Sequence, residues 1–202
     1  MKNKKAFDIA AFGILLAIEI LFCFTVLGSL PAIGPIVATF MMIPVVITAI
    51  LLGPGAGTLM GFFAGLFSFI VWTFMPPNPL IAFLFTPFYS LGEFQGNFGS
   101  VLICFVPRIL GGTFGGFAYK LFKDRDALAF PVSAVVGSLT NTIGVMGGIW
   151  LFFGTQYESI FGGAMLAAIG STVLFSGVPE AIIAALVAYA VCTPVKKMIA
   201  KI

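Results

Sequence analysis

Charged positions are missing from long stretches of this chain. Between Glu19 and Glu93 lie 73 residues without Asp, Glu, Lys or Arg, and 31 more lie between Asp126 and Glu158. Apolar runs of that length are the mark of segments dissolved in lipid, where about 20 residues carry one helix across a core of about 30 Å. Clusters of Gly and Pro, the strongest helix breakers, punctuate the runs. The breaks predict six membrane-spanning helices, near residues 6–27, 36–52, 58–74, 99–122, 127–153 and 163–195. The fold class is therefore all-α integral membrane: a single bundle of six helices forming one domain over residues 1–202.

The basic residues orient that bundle. Lys2, Lys4 and Lys5 precede the first span, Lys120, Lys123 and Arg125 lie between the fourth and fifth, and Lys196, Lys197 and Lys201 follow the sixth. With six spans all three clusters fall on one side, and the intervening loops at 28–35, 75–98 and 154–162 hold no Lys or Arg. This positive-inside pattern predicts a multi-pass protein of the cell membrane with both termini cytoplasmic. The first span is too long for a signal-peptide core, contains Glu19 and precedes no A-x-A site, so it reads as a retained helix.

Composition narrows the chemistry. The chain is 60% hydrophobic and 8% charged, whereas a soluble domain carries about 25% charged residues. There is no His, which removes histidine acid–base work and the commonest metal ligand. No P-loop string occurs, so no nucleotide phosphate is cradled that way. Cys23, Cys104 and Cys192 stand alone in apolar stretches and read as small core or lipid-facing residues rather than a disulfide set or metal site. The net charge of +3 reflects topology and not a nucleic-acid partner. No cofactor and no metal are expected.

Ionisable groups inside lipid usually face a cavity or a partner. Glu19, Arg108 and Glu180 lie well within spans, and Asn141, between Thr140 and Thr142, is the most polar point of the fifth. Counted from the charges that end each span, all four lie roughly 18–24 Å from the inner surface at 1.5 Å per residue. Each of the last three also sits on a stripe of small or polar residues at helical spacing: Arg108, Gly112, Gly115 and Tyr119; Gly137, Asn141, Gly144 and Gly148; Thr172, Ser176, Glu180 and Ala184. A shared chamber, open from outside and lined by one cation and one or two carboxylates, accounts for this alignment. The competing explanation is that Arg108 pairs with Glu19 or Glu180 and locks the bundle without any ligand. The G-x-x-x-G spacings at Gly57, Gly61 and Gly65, at Gly111/Gly115 and Gly112/Gly116, and at Gly144/Gly148 need no ligand, because close helix packing explains them.

The connection at 75–98 is long for a compact membrane domain. Its prolines and its rings (Phe83, Phe85, Phe88, Tyr89 and Phe94) fit an extracellular lid packed over the mouth. Anchoring of those rings at the membrane interface is the other reading.

Several strings resemble those of a known family. Residues 38–54 (ATFMMIPVVITAILLGP), Pro107-Arg108-Ile109-Leu110, Gly137-Ser138-Leu139-Thr140-Asn141-Thr142 and Gly147-Gly148-Ile149 resemble the substrate-binding S components of energy-coupling factor (ECF) transporters. The likeness runs from about residue 7 to 197 and is greatest to the pantothenate-specific members. It implies a vitamin-capture subunit that binds its ligand under the outer loops. Such a subunit docks to a transmembrane T component and two cytoplasmic ATPases, and releases substrate to the cytoplasm. The subunit itself is then no enzyme, its energy coming from ATP hydrolysed by its partners. On this resemblance the substrate-binding residues are Arg108, Asn141, Thr142, Glu180, Ser138 and Trp150. Arg108 would hold the pantothenate carboxylate, Asn141 and Thr142 its amide or hydroxyls, and Trp150 or the loop rings its gem-dimethyl group. The docking stripe falls on Ala10, Gly13 and Ala17. A buried Glu180 beside an anion is repulsive unless protonated or paired, which keeps a pyridine- or pyrimidine-type vitamin or precursor open as substrate.

A stand-alone proton-coupled carrier, with Glu19 and Glu180 as proton sites, is the main rival, although the two halves carry no evident repeat. An intramembrane enzyme lacks a catalytic constellation, and a purely structural subunit leaves the level of the four polar residues unexplained.

Overall fold

The computed structural model describes residues 2–28, 39–161 and 165–199. The expected break at 29–31, the start of the second span at 36, the start of the sixth at 163 and Lys201 lie outside the described residues. Helix α1 (Lys2–Phe24) ends in a 3-10 turn, Val26–Gly28. Helix α2 is Met42–Leu52 and α3 is Pro54–Phe74. Gly53 separates them at φ +95°, a left-handed value that favours glycine, and Pro54 restarts the helix where its missing N–H costs nothing. Helix α4 (Phe98–Phe122) is opened by a capping box: Asn97 Oδ1 accepts the Gly99 N–H at 2.7 Å, and Ser100 Oγ accepts the Asn97 N–H at 3.1 Å.

Helix α5 (Asp126–Phe161) outruns the expected end at 153. Phe153 leaves helical geometry there, at φ −140° and ψ 18°, so the expected loop at 154–162 is instead a kink followed by helix to Phe161. The last span is one rod of α6 (Met165–Thr172), a wide π turn (Val173–Gly177) and α7 (Val178–Ile199). Pro179 sits just past the π turn, where it has no N–H to return to the carbonyl of Phe175.

Five of these helical runs are long and apolar enough to cross a membrane: α1, α3, α4, α5 and the α6–α7 rod. Helix α2 has eleven residues, about 16 Å against the roughly 30 Å of a bilayer core. It is nonetheless the most enclosed element, with Met42 to Ile50 all buried. This is why it reads apolar on every side, with no stripe to mark a face. The described structure is an all-α membrane fold.

Lipid gives apolar helices little reason to associate, so close backbone approach must hold the bundle. A methyl group on Gly61 would overlap the Arg108 carbonyl, and one on Gly112 would overlap that of Gly57. These contacts press α3 onto α4, while Gly111 and Gly137 do the same for α4 and α5. Phe12 meets Phe63 and Phe24 meets Phe67, with ring centroids 6.3 and 6.0 Å apart, so α1 runs parallel to α3. Gly116 rests on Pro54, and Lys196 pairs with Asp126. The starts of α1, α3 and α5 and the ends of α4 and α7 therefore share one end of the bundle, together with the described basic clusters.

At the opposite end the 75–98 connection, expected as a lid, has structure of its own. It contains a 3-10 helix, Pro79–Leu84, and a hairpin pairing Ser90–Leu91 with Phe94–Gln95. Ile81, Phe83, Leu84 and Phe85 are buried against Ile103, Met146, Ile149 and Phe153. The segment is docked into the bundle as part of its core.

Candidate functional site

Away from the basic end, a cavity of about 520 Å³ opens between the outer end of α1, the last turns of α3, the middle of α4 and α5, and the π turn. Its size falls within the roughly 300–1,000 Å³ of small-molecule pockets, and its walls follow the same rule of many apolar groups and a few polar ones. Arg108, Asn141, Thr142 and Glu180 all line it.

Arg108 is 6% exposed. Its Nη1 donates to the carbonyls of Cys104 (2.6 Å) and Ile103 (3.4 Å), its Nη2 to Ser68 Oγ (3.0 Å) and its Nε to Met41 Sδ (3.4 Å). No carboxylate lies within ion-pair distance: among the described residues the one salt bridge is Lys196 with Asp126. The direct pairing of Arg108 with Glu19 or Glu180, the alternative raised by the sequence, is absent. A guanidinium buried without a counter-ion is costly, and here it faces a void.

Opposite it stand acceptors in want of donors. Glu180 is 5% exposed; its Oε1 has no hydrogen-bond partner, and neither does Asn141 Oδ1. Buried polar atoms are almost always satisfied, so these two mark where a ligand's N–H or O–H groups would be useful. Thr142 spends its hydroxyl on the Ser138 carbonyl at 3.3 Å. Thr172, Ser176 and Glu180, four residues apart, all line the cavity because the π turn takes up the drift of a 3.6-residue helix.

Other expected site residues lie elsewhere. Ser138 is fully buried behind the wall, near Glu180 but outside hydrogen-bond geometry. Trp150 is 58% exposed and flanks a separate shallow depression beside Leu151 and Gln156. At about 100° per residue, the nine steps from Asn141 carry it to the opposite face of α5, so the cavity's aromatic wall is not Trp150. That wall is Trp72 stacked on Phe85, with centroids 4.5 Å apart and planes 21° from parallel. Glu19 is fully buried but does not line the cavity; its Oε1 accepts from the Cys23 thiol at 3.5 Å. Of the stripes, Gly112, Gly115, Gly137, Gly144 and Gly148 pack helix on helix instead of bounding the void. Ala10, Gly13 and Ala17 are exposed on one side of α1.

Ser68, Trp72 and Met41 were not expected at the site. A signal for two of them was present: Gly57, Gly61 and Gly65 mark the face of α3 that meets α4, and steps of three and four continue that face to Ser68 and Trp72.

Comparison with known proteins bears on these features. The family model "ECF transporter, substrate-specific component" matches residues 7–192. The chain is also 33% identical over 201 residues to the "Pantothenic acid transporter PanT" of Lactococcus lactis subsp. cremoris (strain MG1363), covering 98% of this chain and 97% of that protein. A buried cation and unsatisfied acceptors around a largely apolar cavity suit a subunit that captures a small polar molecule, and the chain belongs to the family of ECF transporter substrate-specific components.

Proposed function

We propose that this protein is the vitamin-binding subunit of an ATP-driven importer, that its substrate is pantothenate, and that both termini of a six-span bundle face the cytoplasm. The observation that carries the reading is Arg108: buried, without a carboxylate partner, and on the wall of a ligand-sized cavity. Pantothenate is an anion with an amide and two hydroxyls. Its carboxylate would neutralise Arg108, its donors would meet Asn141 Oδ1 and Glu180, and its gem-dimethyl group would lie on the Trp72–Phe85 stack. The pantothenic acid transporter relative supports this choice of substrate. Energy would come from a transmembrane T component and two ATPases, reached through the exposed side of α1 at Ala10, Gly13 and Ala17.

The test is calorimetric titration of the purified protein with pantothenate. Wild type should bind tightly. Arg108→Ala should lose affinity by about 2–5 kcal/mol, the cost of removing one partner of a desolvated charge pair, while keeping its melting temperature. Unchanged affinity would refute the assignment. A second reading is favoured by one observation: the buried carboxyl of Glu180 lines the same cavity as Arg108, which suits a neutral or cationic pyridine- or pyrimidine-type vitamin. Competition by a vitamin panel separates the two. Uptake by liposomes containing this chain alone would instead favour a self-sufficient carrier.

A further inference from the structure

The five N–H groups of Arg108 are not equally available. Nη1 donates toward its own helix, to the carbonyls of Cys104 and Ile103. Nη2 gives one hydrogen to Ser68 Oγ. The edge formed by Nη1 and Nη2 is therefore occupied, and a carboxylate seeking two parallel hydrogen bonds is left with the other edge, Nε and Nη2. On that edge Nε already has an acceptor, the Met41 thioether sulfur at 3.4 Å. Met41 itself lines the cavity, one residue before α2 begins.

We propose that Met41 is a specificity-determining residue that holds Arg108 Nε while the cavity is empty and yields it to the carboxylate of the ligand. The inference rests on the reading of the cavity as an anion site. A thioether is suited to the task. It is a weak acceptor, so it satisfies a buried N–H loosely and is displaced at little cost. Its three rotatable bonds let it swing aside without moving the backbone. A stronger acceptor would compete with the ligand, and an apolar side chain would leave Nε unpaired until a ligand arrives. Selection for the anionic end of the ligand thus depends on how weakly position 41 holds Arg108.

The experiment compares two ligands, pantothenate and its analogue in which a CH₂OH group replaces the carboxylate, by calorimetric titration of wild type, Met41→Gln and Met41→Leu. The quantity read is the ratio of the two affinities. In Met41→Gln the amide oxygen retains Nε, and the preference for the anion should fall about tenfold, the scale of one hydrogen bond to a charged group. In Met41→Leu the preference should rise. Equal changes toward both ligands in both variants, as a purely packing role requires, overturn the proposal. Methyl NMR of wild type labelled at methionine gives a check independent of the variants. The Met41 signal should move with pantothenate and much less with the alcohol analogue, and equal movement overturns the proposal. If wild type binds neither ligand, the reading of the cavity as a pantothenate site fails first, an outcome distinct from binding without selectivity at position 41.

Discussion

The side chain of Arg108 reaches back to the carbonyl of Ile103, which lies 3.4 Å from Nη1. In an unbroken helix that carbonyl would receive the N–H of residue 107, but residue 107 is proline and has none. Helix α4 runs on through Pro107, and the freed acceptor becomes one of the points that aim the guanidinium. The adjacent Pro and Arg act as one device: the first exposes the group that helps hold the second.

Pro107→Ala tests that device. Restoring the N–H lets the backbone reclaim the Ile103 carbonyl, leaving Arg108 one anchor fewer. Pantothenate affinity should fall by a few fold, up to about tenfold, which corresponds to roughly one hydrogen bond. Thermal stability in detergent should not drop, because proline inside a helix costs rather than contributes. Unchanged affinity would show that Cys104 and Ser68 suffice.

Fluorescence can decide which aromatic wall the ligand meets. The chain has two tryptophans. Trp72 lines the cavity against Phe85, while Trp150 lies on the far side of α5. A ligand-induced change in emission should survive Trp150→Phe and vanish in Trp72→Phe. The reverse result would return Trp150 to the site.

How much of this was legible beforehand follows from what lipid tolerates. Arg108, Glu180 and Asn141 stood out because polar groups in an apolar run demand a reason, and counting residues placed them at one depth. Met41, Ser68 and Trp72 did not stand out. In a chain that is 60% hydrophobic, one more Met or Trp says nothing about which way it faces, and a serine is small enough to pass for packing. Trp150 was misplaced because ring chemistry was weighed without helical phase. The 75–98 connection stood out by its length and rings, but its prolines mask a 3-10 helix whose Ile81 and Phe83 are core residues.

Helix spacing should govern affinity through Gly61. A methyl there would run into the Arg108 carbonyl, forcing α3 away from α4 and lifting Ser68 off the guanidinium. Gly61→Ala should destabilise by about 1–3 kcal/mol, the usual cost of overpacking, and weaken pantothenate binding as well. Gly147→Ala is the control, since a methyl at Gly147 meets nothing within 4 Å. Thermal melts and titrations of the two variants should separate cleanly.

The exposed side of α1 leads to the last prediction. Ala10, Gly13 and Ala17 are exposed, and a side chain at Gly13 meets no neighbour within 4 Å, so enlarging these residues leaves the bundle intact. If α1 is the docking face, their small size serves a helix approaching from outside, because lipid packs as readily against leucine as against glycine. Gly13→Leu, alone or with Ala17→Leu, should therefore leave pantothenate affinity and melting temperature at wild-type values. It should abolish co-purification with the T component and ATPases and stop uptake in cells that depend on this protein. Uptake at the normal rate would mean that the partner docks on another face, while loss of ligand binding would mean that α1 is held by contacts beyond those described.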